Sequence, residues 1–143
     1  SVIPLFNDLI NQNKSINITH RNVDRFFMSI NEAVALILTA TNFNKTGNVY
    51  VLDMGKPIKI LEIAKKMILL SGKKFRILKK NNSKNKTKDF IDIYFSGLKK
   101  GEKISEKLST GKLIKSSKNK IFIAKTRKMN NKELNNRIKS LVN

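Results

Sequence analysis

Ile60, Ile63, Ala64, Met67 and Ile68 recur at the spacing of one apolar face of an α-helix. Gly72 stands where a left-handed residue closes such a helix. Runs of the other period lie on both sides of it. NVYVLD at Asn48–Asp53, and Phe90, Ile91, Ile93 and Phe95, read as strands. A chain that keeps switching between these two periods folds as layers of helix and short strand.

The remaining segments extend the pattern. Ser1–Asn13 is an apolar run with Pro4 near its start, where proline suits a first helical turn. Ser15–Thr19 alternates like a short strand, and His20–Asp24 is a polar loop. Ser29-Ile-Asn-Glu32 fits a capping box with Ser29 or Asn31 as the cap. Ala33–Thr41 is apolar on most sides, so this helix is expected to be well buried. Met54–Pro57 is a turn. Lys79–Lys88 carries no apolar residue and reads as a solvated loop. Gly97–Lys103 is a basic turn expected to lead into a short helix. Ile121–Ala124 is a strand. Asn130–Val142 is a helix with Leu134, Ile138 and Leu141 on one face. The whole reads as a small α/β lobe, part of whose apolar surface is expected to meet a partner domain.

The 143 residues suit one domain. The longest apolar stretch, near Ala33–Ala40, is too short to cross a bilayer. The first residues, SVIPLFNDLI, have no basic segment of the kind that opens a signal peptide. A start at Ser1 rather than Met raises the expectation of a processed, split or truncated gene product. There are no cysteines, so disulfide and thiolate chemistry find no residues to use, and the one histidine, His20, has no carboxylate cluster around it in sequence, which nearly excludes metal chemistry. The net charge of +20 invites a polyanion partner. Its composition weakens that reading. Lys, Asn and Ile together make 61 of the 143 residues, the signature of A/T-rich codons. Only five of the 30 basic residues are Arg, the side chain whose planar fork nucleic-acid readers favour.

Four segments, in order, resemble the polysaccharide-biosynthesis CapD-like family of extended short-chain dehydrogenase/reductases, enzymes that act on nucleotide sugars. They are SVIPLF at Ser1–Phe6, VDRFFMSINEAVALIL at Val23–Leu38, VYVLDMGKPIKILEIAKKMILLSG at Val49–Gly72 and FSGLKKGEKISEKL at Phe95–Leu108. The second is similar to the family's TRYFMTIPEAV and the last to its GLRPGEKLYEEL. The likeness covers about Ser1 to Ala124. It implies an α/β fold: the C-terminal substrate-binding lobe of a Rossmann-type enzyme, without the Rossmann core. Residues 1–125 would be the nucleotide-sugar-binding part, and 126–143 a helical tail. Neither a G-x-G-x-x-G after a strand nor a Tyr-x-x-x-Lys pair occurs here; Tyr50 and Tyr94 are followed four residues on by Met54 and Leu98. In the family both elements precede the SVIPLF segment, so the chain is expected to need an N-terminal Rossmann portion that binds NAD(P). No catalytic residue and no metal ligand is assigned within it.

The ligand that the resemblance implies is a UDP-linked N-acetylhexosamine, whose pyrophosphate needs positive charge or oriented N–H donors. Arg25 is the first candidate for it; the alternative is a surface arginine on a helix cap or a carboxylate. Lys99 stands where the family has an arginine, and Lys100 replaces a proline. Lysine neutralises phosphate as a point charge without bidentate pairing, and a solvated lysine pair is the alternative. Glu102 would accept hydrogen bonds from the ribose hydroxyls, or serve as a carboxylate at a helix start. Val2, Ile3, Pro4 and Leu5 would pass the uracil ring, or simply pack in a core. His20 reads as a loop residue, and Phe26, Phe27 and Met28 as core.

The function expected is substrate binding within an NAD(P)-dependent UDP-sugar 4,6-dehydratase or epimerase of cell-surface polysaccharide synthesis. The enzyme would be a homo-oligomer when full length and would take no specific nucleic acid. It would be cytoplasmic, or at the cytoplasmic face of the inner membrane. The alternatives are a basic nucleic-acid-binding module and an inactive split-gene remnant.

Overall fold

The structure is a computed structural model that describes residues 2–43, 47–78, 89–109, 111–125 and 130–142. The expected loop at Lys79–Lys88 and the start of the tail at 126–129 lie outside the described residues. In chain order the elements are α1 Val2–Asn11, β1 Ile16–Ile18, β2 Asp24–Arg25, α2 Ile30–Thr41, β3 Val49–Leu52, β4 Ile58–Lys59, α3 Ile60–Leu70, β5 Lys74–Leu78, β6 Phe90–Phe95, β7 Leu113–Lys115, β8 Ile121–Ala124 and α4 Asn131–Val142. Among the described residues no helix is long and apolar enough to cross a membrane. The chain divides into two compact units, one of residues 1–28 and 54–107, the other of 29–53 and 108–143.

The first unit is built on a parallel sheet in the order β1-β6-β5. β6 is its middle strand, with Ile91, Asp92 and Ile93 all buried, because both faces of a central parallel strand are covered. Phe6 and Ile10 of α1, and Ile60, Leu61, Ala64 and Ile68 of α3, close over Ile16, Ile18, Ile91 and Ile93 in one apolar core. Phe27 packs against that core, as its apolar run suggests. The apolar face read from Ile60 to Ile68 is the face α3 buries. Its end is a Schellman motif: Gly72 N–H donates to the Leu69 carbonyl at 3.0 Å and Lys73 N–H to that of Ile68 at 3.2 Å. Gly72 has φ +77°, a conformation glycine adopts without the Cβ penalty. Lys73 Nζ then donates to the Ile10 carbonyl at 2.7 Å and to Asn13 Oδ1 at 2.6 Å. This sets a cation on the negative end of α1.

The second unit carries an antiparallel sheet, β3-β8-β7, with α2 on β3. Ser29 caps α2, its hydroxyl accepting from the Glu32 N–H at 3.1 Å. The Glu32 carboxylate accepts from Lys120 Nζ at 2.6 Å. The expected burial of α2 is not met. None of its residues is buried, and Ile30 and Leu38 are 81% and 61% exposed. One short strand cannot cover a helix that is apolar on most sides. In α4 the face of Leu134, Ile138 and Leu141 is likewise exposed.

Three other features differ from the sequence reading. β5 pairs with β6 from Lys74 opposite Phe90 to Leu78 opposite Tyr94, a strand the sequence reading did not assign although KFRIL alternates. The polar loop at His20–Asp24 gives way to strand pairing at Asp24, which lies opposite Lys59. No helix follows Lys103 within 104–109. There the Ile104 carbonyl accepts from the Asp24 N–H at 2.9 Å and Ser105 Oγ donates to Asp24 Oδ2 at 2.8 Å, so the segment is tied to β2 rather than to itself.

Candidate functional site

β1 and β6 run parallel and end level, Ile18 opposite Phe95. The segments that leave them therefore emerge on one edge of the sheet. The carboxyl edge of an open parallel sheet is where such folds meet ligands. Thr19 is the first residue past β1, and the turn through Glu102 follows β6. Ser96 N–H donates to the Ile18 carbonyl at 3.1 Å, which carries the pairing one step further and holds the two exits together. Arg25 reaches the same edge from β2, which is fixed by its pairing with β4 (Arg25 opposite Ile58) and by the Asp24–Ile104 bond.

Glu102 is the point of convergence. Thr19 Oγ1 donates to its Oε1 at 2.6 Å, and the main-chain N–H of Lys99 donates to Oε2 at 3.1 Å. Arg25 Nη2 lies 3.6 Å from Oε1. Arg25 Nη1 is itself anchored, donating to the carbonyls of Asp24 at 2.6 Å and Ile104 at 3.2 Å. The Thr19 hydroxyl, then the Lys99 N–H, hold the Glu102 carboxyl below the usual carboxylate range; desolvation opposes them, and the charges of Arg25 and Lys99 add smaller pulls.

The turn that delivers Glu102 closes with its N–H donating to the Lys99 carbonyl at 3.0 Å. Gly101 is the third residue of that turn, with φ +81°, where a side chain would be strained. Lys100 occupies the second position, where proline would set φ in advance.

A cleft of about 230 Å³ opens beside this cluster. Val2, Leu5 and Phe6 of α1 and Ile60 of α3 form an apolar wall; Asn17, Thr19, Arg25 and Glu102 form the polar side. Of the residues singled out in the sequence, Val2, Leu5, Arg25 and Glu102 border the cleft. Pro4 is exposed on the first turn of α1 and does not. The Lys99 side chain is also exposed outside the lining, and that residue reaches Glu102 through its backbone. Sequence reasoning missed Thr19. A lone hydroxyl after a short strand has no motif, and its partner lies 83 positions away. His20 accepts the Asn22 N–H on Nδ1 at 3.2 Å within its own loop. The second unit has larger hollows, one of about 480 Å³ beside the Lys115–Phe122 hairpin. There Lys120 is already neutralised by Glu32, so that hollow lacks the convergence seen at Glu102.

The arrangement suits a ligand with three parts: a flat apolar ring for the α1 wall, hydroxyl groups for the Glu102 carboxylate and an anion for the Arg25 guanidinium.

A family model described as polysaccharide biosynthesis protein matches residues 1–126. The capsular polysaccharide biosynthesis protein CapD of Staphylococcus aureus is 44% identical over 108 residues, 76% of this chain and 16% of that protein. The probable polysaccharide biosynthesis protein EpsC of Bacillus subtilis is 37% identical over the same share of each. A UDP-glucose 4-epimerase of Rickettsia bellii is 38% identical over 108 residues, 76% of this chain and 27% of that enzyme. The chain thus spans about a sixth of the length of CapD and EpsC. The X-ray structure of Pen from Bacillus thuringiensis superposes with a TM-score of 0.64 at 30% identity, covering 91% of this chain and 36% of that one. The mixed α/β architecture of short strands and helices is the one expected of the substrate-binding lobe named above.

Proposed function

This chain belongs to the polysaccharide biosynthesis protein family, and from that premise we propose that residues 1–125 are the nucleotide-sugar-binding part of an enzyme that remodels UDP-sugars by 4,6-dehydration or epimerisation. The family's relatives include UDP-glucose 4-epimerases, which supports a nucleotide-sugar role. The observation that carries the reading is the meeting of Arg25, Glu102 and the Lys99 backbone beside one cleft. The Arg25 guanidinium pairs with the pyrophosphate, and the Glu102 carboxylate accepts from the ribose. Val2 bounds the uracil ring. A UDP-sugar is larger than the cleft, so Pro4 and the Lys99 ammonium flank the parts that extend past it.

NAD(P), when bound, supplies the hydride acceptor for oxidation at the sugar. No residue of this chain has the pattern that holds it, so the cofactor is assigned to a Rossmann portion elsewhere in the full-length enzyme. The residues here anchor the nucleotide, and an anchored nucleotide holds the sugar in a reactive geometry. In this reading 126–143 is a helical tail, the full-length enzyme is a homo-oligomer in the cytoplasm or at the cytoplasmic face of the inner membrane, possessing no specific nucleic-acid partner, and it feeds cell-surface polysaccharide synthesis.

The test is titration with UDP, a UDP-N-acetylhexosamine and duplex DNA at two salt concentrations. Saturable UDP-sugar binding with shallow salt dependence is the expected result. DNA binding that falls steeply with salt, with no response to UDP-sugar, would overturn the proposal.

A further inference from the structure

Thr19 has one hydroxyl hydrogen, and the 2.6 Å contact with Glu102 Oε1 takes it. What remains on Thr19 Oγ1 is acceptor capacity alone. Oε1 is further engaged by Arg25 at 3.6 Å, while Oε2 carries one donor, the Lys99 N–H. The least occupied acceptor positions at this end of the cleft are therefore on Oε2 and Thr19 Oγ1. Both residues border the cleft. We infer that Thr19 is a positioning and specificity-determining residue: it holds the Glu102 carboxylate in place, and with it forms an acceptor-only corner that selects ligand hydroxyl groups and rejects their absence.

The inference rests on the proposed nucleotide-sugar reading and adds to it a residue and a rule. A corner made of a carboxylate and a hydroxyl whose hydrogen is committed has no donor to offer. A deoxy ligand leaves these acceptors facing nothing, and the loss shows as discrimination rather than as a uniform fall in affinity. The Thr19 bond is also the largest cause of the low Glu102 carboxyl pKa. A fault at Thr19 therefore becomes visible at Glu102 without any ligand.

The experiment compares the chain with Thr19→Val, which keeps the shape and removes the hydroxyl, and Thr19→Ser, which restores it. The probes are UDP and 2′,3′-dideoxy-UDP, read by calorimetry, together with a carbon-13 NMR titration of the Glu102 carboxyl. The unsubstituted chain is expected to prefer UDP by about tenfold, the effect of roughly one charge-assisted hydrogen bond. Thr19→Val is expected to bring that ratio towards one and to move the Glu102 titration upward, towards the ordinary carboxylate range, with the Lys99 N–H still opposing the rise. Thr19→Ser should retain both properties. An undiminished ratio and an unmoved titration in Thr19→Val would overturn the inference. Should UDP fail to bind the unsubstituted chain, the nucleotide-sugar reading falls, and the carboxyl titration still decides whether Thr19 positions Glu102.

Discussion

Arg25 Nη2 stands 3.6 Å from Glu102 Oε1, too far for a hydrogen bond and close enough for attraction between charges. The guanidinium is thus held beside the carboxylate by its own bonds to the Asp24 and Ile104 carbonyls, and keeps donor capacity for a second anion. Arg25→Ala is expected to weaken UDP binding about tenfold or more, with Arg25→Lys intermediate because a point charge replaces the fork. Its cost in stability should be no more than about 1 kcal/mol, as for a partly exposed pair. Calorimetric titration and thermal melts of the same samples check both statements.

Glu102 makes stability depend on pH in a known direction. Its folded carboxyl titrates below the ordinary value, so the folded state favours the ionised form. That contribution is fully present above the ordinary carboxylate value and is lost as pH falls through the lowered folded value. The stability difference between the chain and Glu102→Gln should therefore stay flat from neutral pH to about pH 5 and shrink at more acid pH. Denaturant titrations at several pH values measure it. A difference that widened on acidification would contradict the assignment of donors to this carboxylate.

The turn before Glu102 makes opposite demands at adjacent positions. Gly101, at φ +81°, should resist substitution; Gly101→Ala is expected to cost about 1 kcal/mol and to weaken UDP binding by displacing Glu102. Lys100, at the second position, should accept proline, and Lys100→Pro is expected to stabilise by about 0.4–1 kcal/mol. Urea unfolding of the two variants supplies the comparison.

Arg76 clasps Asp92 with Nε on Oδ1 at 2.8 Å and Nη2 on Oδ2 at 3.2 Å. Asp92 is buried in the middle strand. Arg76→Leu strands that carboxylate and should cost about 1–3 kcal/mol, whereas the double variant Arg76→Leu/Asp92→Leu should recover part of the loss. A double-mutant cycle reads the coupling.

The exposure of α2 can be tested against the burial of α3. Ile68 is 0% exposed and Leu38 61%. Ile68→Ala should cost about 2–5 kcal/mol, and Leu38→Ser no more than about 0.5 kcal/mol. Melting of both variants separates the two helices.

The extent of α3, its glycine stop, a cap at Ser29 or Asn31 and the strand at Phe90–Phe95 were legible in the sequence. Each depends on residues a few positions apart, and backbone preference and side-chain period act at that range. Arg25 and Glu102 were legible as candidates through family motifs, which say nothing about contact. Tertiary structure decided the rest. β5 carries the alternation of a strand in KFRIL, and its parallel pairing with β6 fixed where it runs. The segment after Lys103 is not a helix because Asp24 takes its carbonyl and hydroxyl. Apolarity alone could not tell that α2 stays uncovered, since burial depends on what else packs there. Thr19 meets Glu102 only because two parallel strands end level, and no local pattern encodes a pairing between exits 83 residues apart.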